Sequence, residues 1–326
     1  MADSGQQRLE EYRDELRLFT YRMCGSFQDA EDLVEAAFFR AGGLPLPLTA
    51  TEPTRMELFK VLARLCLDAL AEQPARSMPH AAGTPSDPFL PPLPKHEGDS
   101  WLEPFPDDLY SGSDQGSGGR YGKRESVSVT FIAALQSLRP RERLCLILGD
   151  VMGWEVGALA EVLGAGVVDT RSALEEARAS MQQVYDEELG TREPPHDAKA
   201  GELLMRYLFP WESGDVGGLM ERLSDDVVLQ LPPSSSWYEG REAVREHLSS
   251  YPLRGDARGR WRLLPRRCNG QLAFGAYRCD DQRHVYAAHS IQVVYFTGEL
   301  VSEIVAFAYP FLFPAFRLLP EVAVQG

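Results

Sequence analysis

Paired cysteines, clustered histidines, a long apolar run and an excess of basic charge are all missing from this 326-residue chain. Its five cysteines (24, 66, 145, 268 and 279) are odd in number and widely spaced, with no CxxC pair, and its six histidines form no HExxH motif. Buried free thiols are therefore expected in place of a metal centre or redox pair, and neither a metal nor a cofactor is expected. No stretch of 18 uncharged apolar residues exists; the most apolar segment, 304–319, is broken by two prolines and an arginine. The opening residues, MADSGQQRLEEYRDELR, are charged throughout and hold no signal-peptide core, so a cytoplasmic location without membrane contact is expected. The formal charge of −15 repels nucleic acid at long range. Any DNA contact must come from local basic surfaces or be assisted by a partner.

What is present has the balance of a soluble globular protein, 44% hydrophobic and 25% charged, and the length suffices for two or three domains. Apolar stripes at helical spacing predict helices over 8–23, 29–41 and 55–72. Within DAEDLVEAAFFRA (29–41), Ala30, Leu33, Val34, Ala37, Phe38 and Ala41 share one side. Glu31, Asp32 and Glu35 lie opposite, with Phe39 exposed among them. Between Pro74 and Pro106 stand nine prolines, followed by SGSDQGSGG, a composition that reads as a linker over 74–125. Inside it WLEPFPDDLY (101–110) carries enough apolar surface to dock on a neighbouring domain.

Helical pattern returns over 126–190. Segments 156–163 and 169–183 around the turn GAG form either a helix-turn-helix, with Asp169 as N-cap, or a plain helical hairpin. From 197 the period changes. Helices over 200–211, 215–223 and 241–249 accompany strands over 261–268 and 271–278 flanking CNGQ, a strong hairpin signal, and strands 287–296 and 300–307 around TGE. Helices followed by a curved antiparallel sheet argue for an α+β domain.

Taken together, YRMCGSFQDAEDLVEAAFFRA, LCLDAL, WLEPFPDDLY and FIAALQSLRPRERLCLILGDVMGWEVGALAEVLGAGVVDTRSALEEARA resemble an extracytoplasmic-function sigma factor of the sigma-70 family. PPSSSWYEGREAV and LVSEIVAF resemble the SnoaL-like domain fused to one subgroup. The resemblance implies a multidomain protein: two all-α sigma domains, a region 2 helical bundle (1–73) and a region 4 helix-turn-helix (126–190), then an α+β SnoaL-like cone-shaped barrel (197–326). It implies binding to core RNA polymerase and promoter DNA, with the last domain regulating the others in place of a separate anti-sigma factor.

On this reading Asp29, Glu31, Asp32, Glu35 and Phe39 face the basic polymerase clamp. Arg40, Arg55, Phe59, Lys60 and Arg64 serve the −10 element by phosphate contact and stacking, and Thr170, Arg171, Ser172 and Arg178 the −35 element. The pattern departs from the family at Gly42 and Glu57, where tryptophans are usual, and at Arg64, where asparagine is. Residues 155–188 carry eight acids against two arginines, so DNA binding is expected only as holoenzyme. In the last domain Trp237, Tyr238, Tyr277 and His289 are the candidate lining of a small-molecule pocket, with His289 on the strand face of Ile291 and Val293. Asp225 and Asp226 are placed in a turn. The protein is expected not to be an enzyme. Two other readings stay open: a divergent homologue that binds polymerase or another protein without promoter-specific initiation, and a small-molecule-binding or isomerase-like SnoaL enzyme.

Overall fold

The structure, a computed structural model, describes residues 9–42, 51–94, 100–109, 120–121, 125–188 and 197–324. The SGSDQGSGG run and most of GGLPLPLTATEP lie outside them. The chain forms two compact units, one of residues 1–76 with 109–190, the other of 77–108 with 191–326.

The first unit is helical. Helices α1 (Arg13–Cys24), α2 (Phe27–Ala41) and α3 (Thr51–Glu72) pack through the predicted stripes. Ser26 caps α2 by accepting from the Asp29 backbone N–H at 3.0 Å. A one-turn helix α4 (Pro79–Ala82) belongs to the second unit. Helices α5 (Val129–Ser137), α6 (Pro140–Leu146), α7 (Val156–Leu163) and α8 (Val167–Glu188) complete the first, with a π-helical turn, Ile147–Val151, continuing α6. Gly164, at φ 59°, makes the left-handed turn between α7 and α8. Because α8 starts at Val167, Asp169 lies in its first turn and is not the N-cap.

The sequence reading separated 1–73 from 126–190, whereas the structure packs them into one unit. Buried arginines explain how. Arg22 donates to the Ser126 carbonyl (3.1 Å) and hydroxyl (2.8 Å), and Arg143 to the carbonyls of Gln136 (3.0 Å), Leu138 (3.1 Å) and Met23. Acceptors on both terminal nitrogens of Arg143 offset part of its desolvation, which still draws its pKa down to about 10, while its Nε is buried without a partner.

The second unit contains α9 (Asp197–Ser213), α10 (Val216–Met220), β1 (Leu223–Gln230), β2 (Trp237–Glu239), α11 (Arg241–Ser250), β3 (Trp261–Cys268), β4 (Gln271–Asp280), β5 (Val285–Thr297), β6 (Leu300–Phe307) and β7 (Glu321–Ala323). The sheet runs β2-β1-β6-β5-β4-β3, antiparallel except for β1 beside β6, with β7 added to β5. Asn269 and Gly270, both at positive φ, turn β3 into β4 so that Cys268 pairs with Gln271. One sheet face buries Leu229, Phe274, Val294 and Ile304 against Tyr207 and Trp211 of α9 and Leu248 of α11. Asp225 and Asp226, expected in a turn, occupy exposed positions of β1, where Asp225 pairs with Arg241 at 3.0 Å.

The proline-rich segment departs most from expectation. Residues 77–94 and 100–108 form a strap on the second unit. The Trp101 indole N–H donates to the Pro233 carbonyl (2.9 Å), and the Phe105 N–H to Asn269 Oδ1 (2.7 Å). The His80 N–H donates to Gln230, whose side chain donates to the buried Glu303 on the sheet face opposite the core. Extended, proline-rich backbone shows no apolar periodicity, yet a few buried anchors (Trp101, Leu102, Phe105) and hydrogen bonds to fixed loops suffice to hold it.

Candidate functional site

On α2 the acidic face is partly neutralised from within. Asp29 accepts from Arg76 at 2.7 Å, Glu31 pairs with Arg17, and Glu35 meets Arg13 at 2.7 Å while staying mostly exposed. Asp32 is exposed and meets no cation among the described residues. Phe39 is 87% exposed at the end of this face, and Arg40 is exposed beside it.

The structure corrects several expected DNA contacts. Phe59 is fully buried, its ring 5.1 Å from Phe19 and 4.9 Å from Trp154, and so has no face left for a base. Arg55 is bound by Glu15 at 3.0 Å with its guanidinium 4.8 Å from the Trp154 ring. Thr170 is buried and its hydroxyl donates to the Gly166 carbonyl at 2.9 Å. Arg178 holds the buried carboxylate of Asp150 at 2.8 Å. Lys60 bridges Glu161 (2.7 Å) and Glu57 (2.9 Å), and these two carboxylates raise its pKa. Arg64 is exposed in the same groove between α3 and the α7–α8 turn, as is Arg141, which sequence reasoning missed within RPRER. At the start of α8, Arg171 and Ser172 are exposed, together with Val168 (77%). Val168 was hidden from sequence reasoning because a valine at helical spacing reads as core.

In the second unit a cavity of about 950 Å³ opens between the core face of the sheet and α11. Trp211, Leu229, Leu248, Trp261, Ile304 and Ala306 form its apolar wall, and His289, Ser290 and Gln292 a polar strip along β5. Three of the four expected lining residues are elsewhere. Trp237 packs under the strap, donating to the Gly83 carbonyl at 3.2 Å, and Tyr238 stacks on His247 with ring centroids 4.3 Å apart. Tyr277 donates to the Leu319 carbonyl at 2.9 Å and meets the Phe313 ring. His289 does line the cavity, though not on the face of Ile291 and Val293. Ala276 pairs with Ser290 and Tyr277 with Ala288, so His289 is the extra residue of a β-bulge that sets it beside Ser290.

No family model matches the chain. It is 33% identical over 314 residues to the ECF RNA polymerase sigma factor SigG of Mycobacterium tuberculosis, across 95% of this chain and 82% of that relative. The chain belongs to the ECF RNA polymerase sigma factors. It is also 27% identical over 220 residues to SigJ of the same organism, across 68% of this chain and 62% of SigJ. The crystal structure of SigJ, 22% identical, matches with a TM-score of 0.57 over 95% of this chain and 98% of that one, which establishes the shared fold. Two all-α sigma regions followed by an α+β SnoaL-like domain are thus the architecture of this sigma factor. Among the described residues no helix is long and apolar enough to cross a membrane.

Two histidines of the cavity wall are expected to make the second unit acid-sensitive. Burial draws His247 and His289 well below the usual histidine range, to about 4 in each case, with Arg278 adding to the effect at His289. Their folded pKa lies below the unfolded value of ~6.5, so stability is complete above pH ~6.5 and falls as the pH drops toward 4. The expected loss is on the order of 2 kcal/mol per histidine at pH 5. Denaturant unfolding at pH 7.5 and pH 5 checks this: His247→Gln should shrink the pH-dependent loss of the second unit, and an unchanged loss refutes the assignment.

Proposed function

We infer that this sigma factor binds core RNA polymerase through α2 and directs it to promoters, with its C-terminal domain as internal regulator. The observation that carries the polymerase half is Phe39, an aromatic ring left 87% exposed beside the exposed carboxylates of Asp32 and Glu35. A merely solvated helix face needs no such ring, whereas an apolar anchor with an acidic rim suits a basic protein partner. Asp29 and Glu31, held by Arg76 and Arg17, shape the face more than they present charge. Co-elution and fluorescence titration with core polymerase test the reading. Asp32→Lys/Glu35→Lys/Phe39→Ala is expected to weaken binding by about 30-fold or more, roughly 2 kcal/mol. Full affinity in the triple variant removes the assignment.

For DNA, the reading rests on Arg40, Arg64, Arg171 and Ser172, with Val168 suited to a thymine methyl and Lys60 available once Glu57 and Glu161 release it. Arg55, Phe59, Thr170 and Arg178 are internally engaged, which favours a second reading: polymerase binding without promoter-specific initiation. Footprinting of the holoenzyme separates the two, since sequence-specific melting excludes the second.

Regulation is supported by the strap. The segment leaving region 2 at Arg76 and re-entering the helical unit at Leu109 is held along its path by the C-terminal domain. That domain therefore holds the segment through which the two DNA-facing regions are joined in sequence. As for chemistry, an isomerase of this general shape needs a carboxylate base facing its substrate. Among the described residues the single carboxylate of the cavity wall is Asp256, exposed and bonded to the Arg258 N–H at 3.3 Å, so ligand sensing fits the lining better than turnover.

A further inference from the structure

The cavity of the C-terminal domain has a chemical polarity that narrows what it holds. It is an open-mouthed cleft of about 950 Å³ beside the folded core. It lies in the range of cavities that enclose small molecules. Its wall is aromatic and aliphatic, with two indoles, Trp211 and Trp261, while the β5 strip offers uncharged groups. Gln292 is oriented by the Tyr207 hydroxyl, which donates to its Oε1 at 3.1 Å, and His289 sets its Nδ1 3.2 Å from the Ser290 hydroxyl. Burial keeps both wall histidines neutral at pH 7.

Charge is confined to the mouth. Arg254, Arg260 and Arg278 are exposed lining residues, against Asp256 as the single acid of the lining among the described residues. Arg260 is committed to Asp281 at 2.6 Å, but Arg254 and Arg278 form no ion pair among the described residues. In a chain of net charge −15, two unpaired arginines at the rim of an apolar cavity are a local reversal of sign. A guanidinium presents a planar fork that matches a carboxylate or phosphate, and it gains strength where an apolar body displaces water.

We propose that this cavity binds an anionic amphiphile: an apolar body seated against Trp211 and Trp261, with one acidic head held by Arg254 and Arg278. The assignment rests on the reading of the domain as a small-molecule sensor and names the class of ligand sensed. The strap borders the same mouth, since Pro92 lines the cavity and the lining residue Tyr251 donates its hydroxyl to the Phe89 carbonyl at 3.2 Å. An occupant therefore touches the segment that joins the sigma regions.

Calorimetric titration of the full chain with dodecanoate, dodecyl phosphate and dodecanol, each below its micelle concentration, tests the proposal. The expected result is at least tenfold tighter binding of one or both anions than of the alcohol. Whether carboxylate or phosphate wins identifies the head group. Arg254→Gln/Arg278→Gln should bring the ratio of anion to alcohol affinity close to one, with an unchanged far-ultraviolet circular dichroism spectrum as the folding control. Equal binding of dodecanol and both anions by the unmodified chain overturns the charge assignment and leaves the sensor reading standing. No binding of any of the three by the folded chain overturns both. An undiminished ratio in the double variant places the head group elsewhere and also overturns the proposal.

Discussion

Phe105→Ala is expected to free the strap from the C-terminal domain at a cost of about 3–5 kcal/mol, the usual range for emptying a buried phenylalanine site. The side chain is 1% exposed, and its backbone is tied at both ends: the N–H donates to Asn269 Oδ1 at 2.7 Å, and the carbonyl accepts from the Asn269 N–H at 3.0 Å. Trp101→Ala should act in the same direction, since that indole is buried and bonded to the Pro233 carbonyl. Limited proteolysis provides the readout: cleavage within 77–108 should rise well before the helical unit or the sheet is attacked. Asn269→Gly keeps the positive φ of the hairpin turn and removes the side-chain acceptor, so it should loosen the strap by about 1–2 kcal/mol without breaking β3–β4 pairing. If regulation acts through the strap, these variants should also change open-complex formation by the holoenzyme. A strap that stays protease-resistant in Phe105→Ala would show that the anchors lie elsewhere.

The hairpins and helices were legible because their signals are local. Asn-Gly can adopt the turn on its own; the strand before CNGQ has the expected bounds, and the one after it starts at Gln271 as expected and runs two residues further, to Asp280. The stripe of DAEDLVEAAFFRA likewise becomes the buried side of α2. Within the strap only the apolar island 101–110 could be read as a docking segment; its partners and the course of 77–94 could not, because nine prolines suppress periodicity and the anchors bond more than a hundred residues away, Trp101 at Pro233 and Phe105 at Asn269. Site residues failed for a related reason. A motif position gives the residue type but not the direction of its side chain: Phe59 and Thr170 occupy family positions yet face inward, and one bulge in β5 moves His289 to the opposite face from that set by simple alternation. The rim arginines 254 and 278, far apart in sequence, come to line one cavity only through the fold.

Arg178 draws the sharpest line between a structural and a DNA-reading role. Its guanidinium donates through Nε and Nη2 to Asp150, which is 3% exposed in the π-helical turn after α6. Arg178→Ala leaves that carboxylate buried without its counterion. Breaking a buried pair in this way typically destabilises by about 3–5 kcal/mol, and the partial exposure of Arg178 brings the expected loss to about 2–3 kcal/mol in urea unfolding of the helical unit. Arg178→Gln/Asp150→Asn, which removes both charges and retains hydrogen-bonding groups, should recover most of it. Arg171→Ala is the contrast. This side chain is exposed and has no ion pair among the described residues, so stability should change by less than about 0.5 kcal/mol. Holoenzyme binding to promoter DNA should instead weaken, and the slope of log affinity against log salt should fall by about one. The opposite pattern, an Arg178 variant that is fully stable but no longer protects the −35 region, would make Arg178 the reader and Asp150 merely its resting partner.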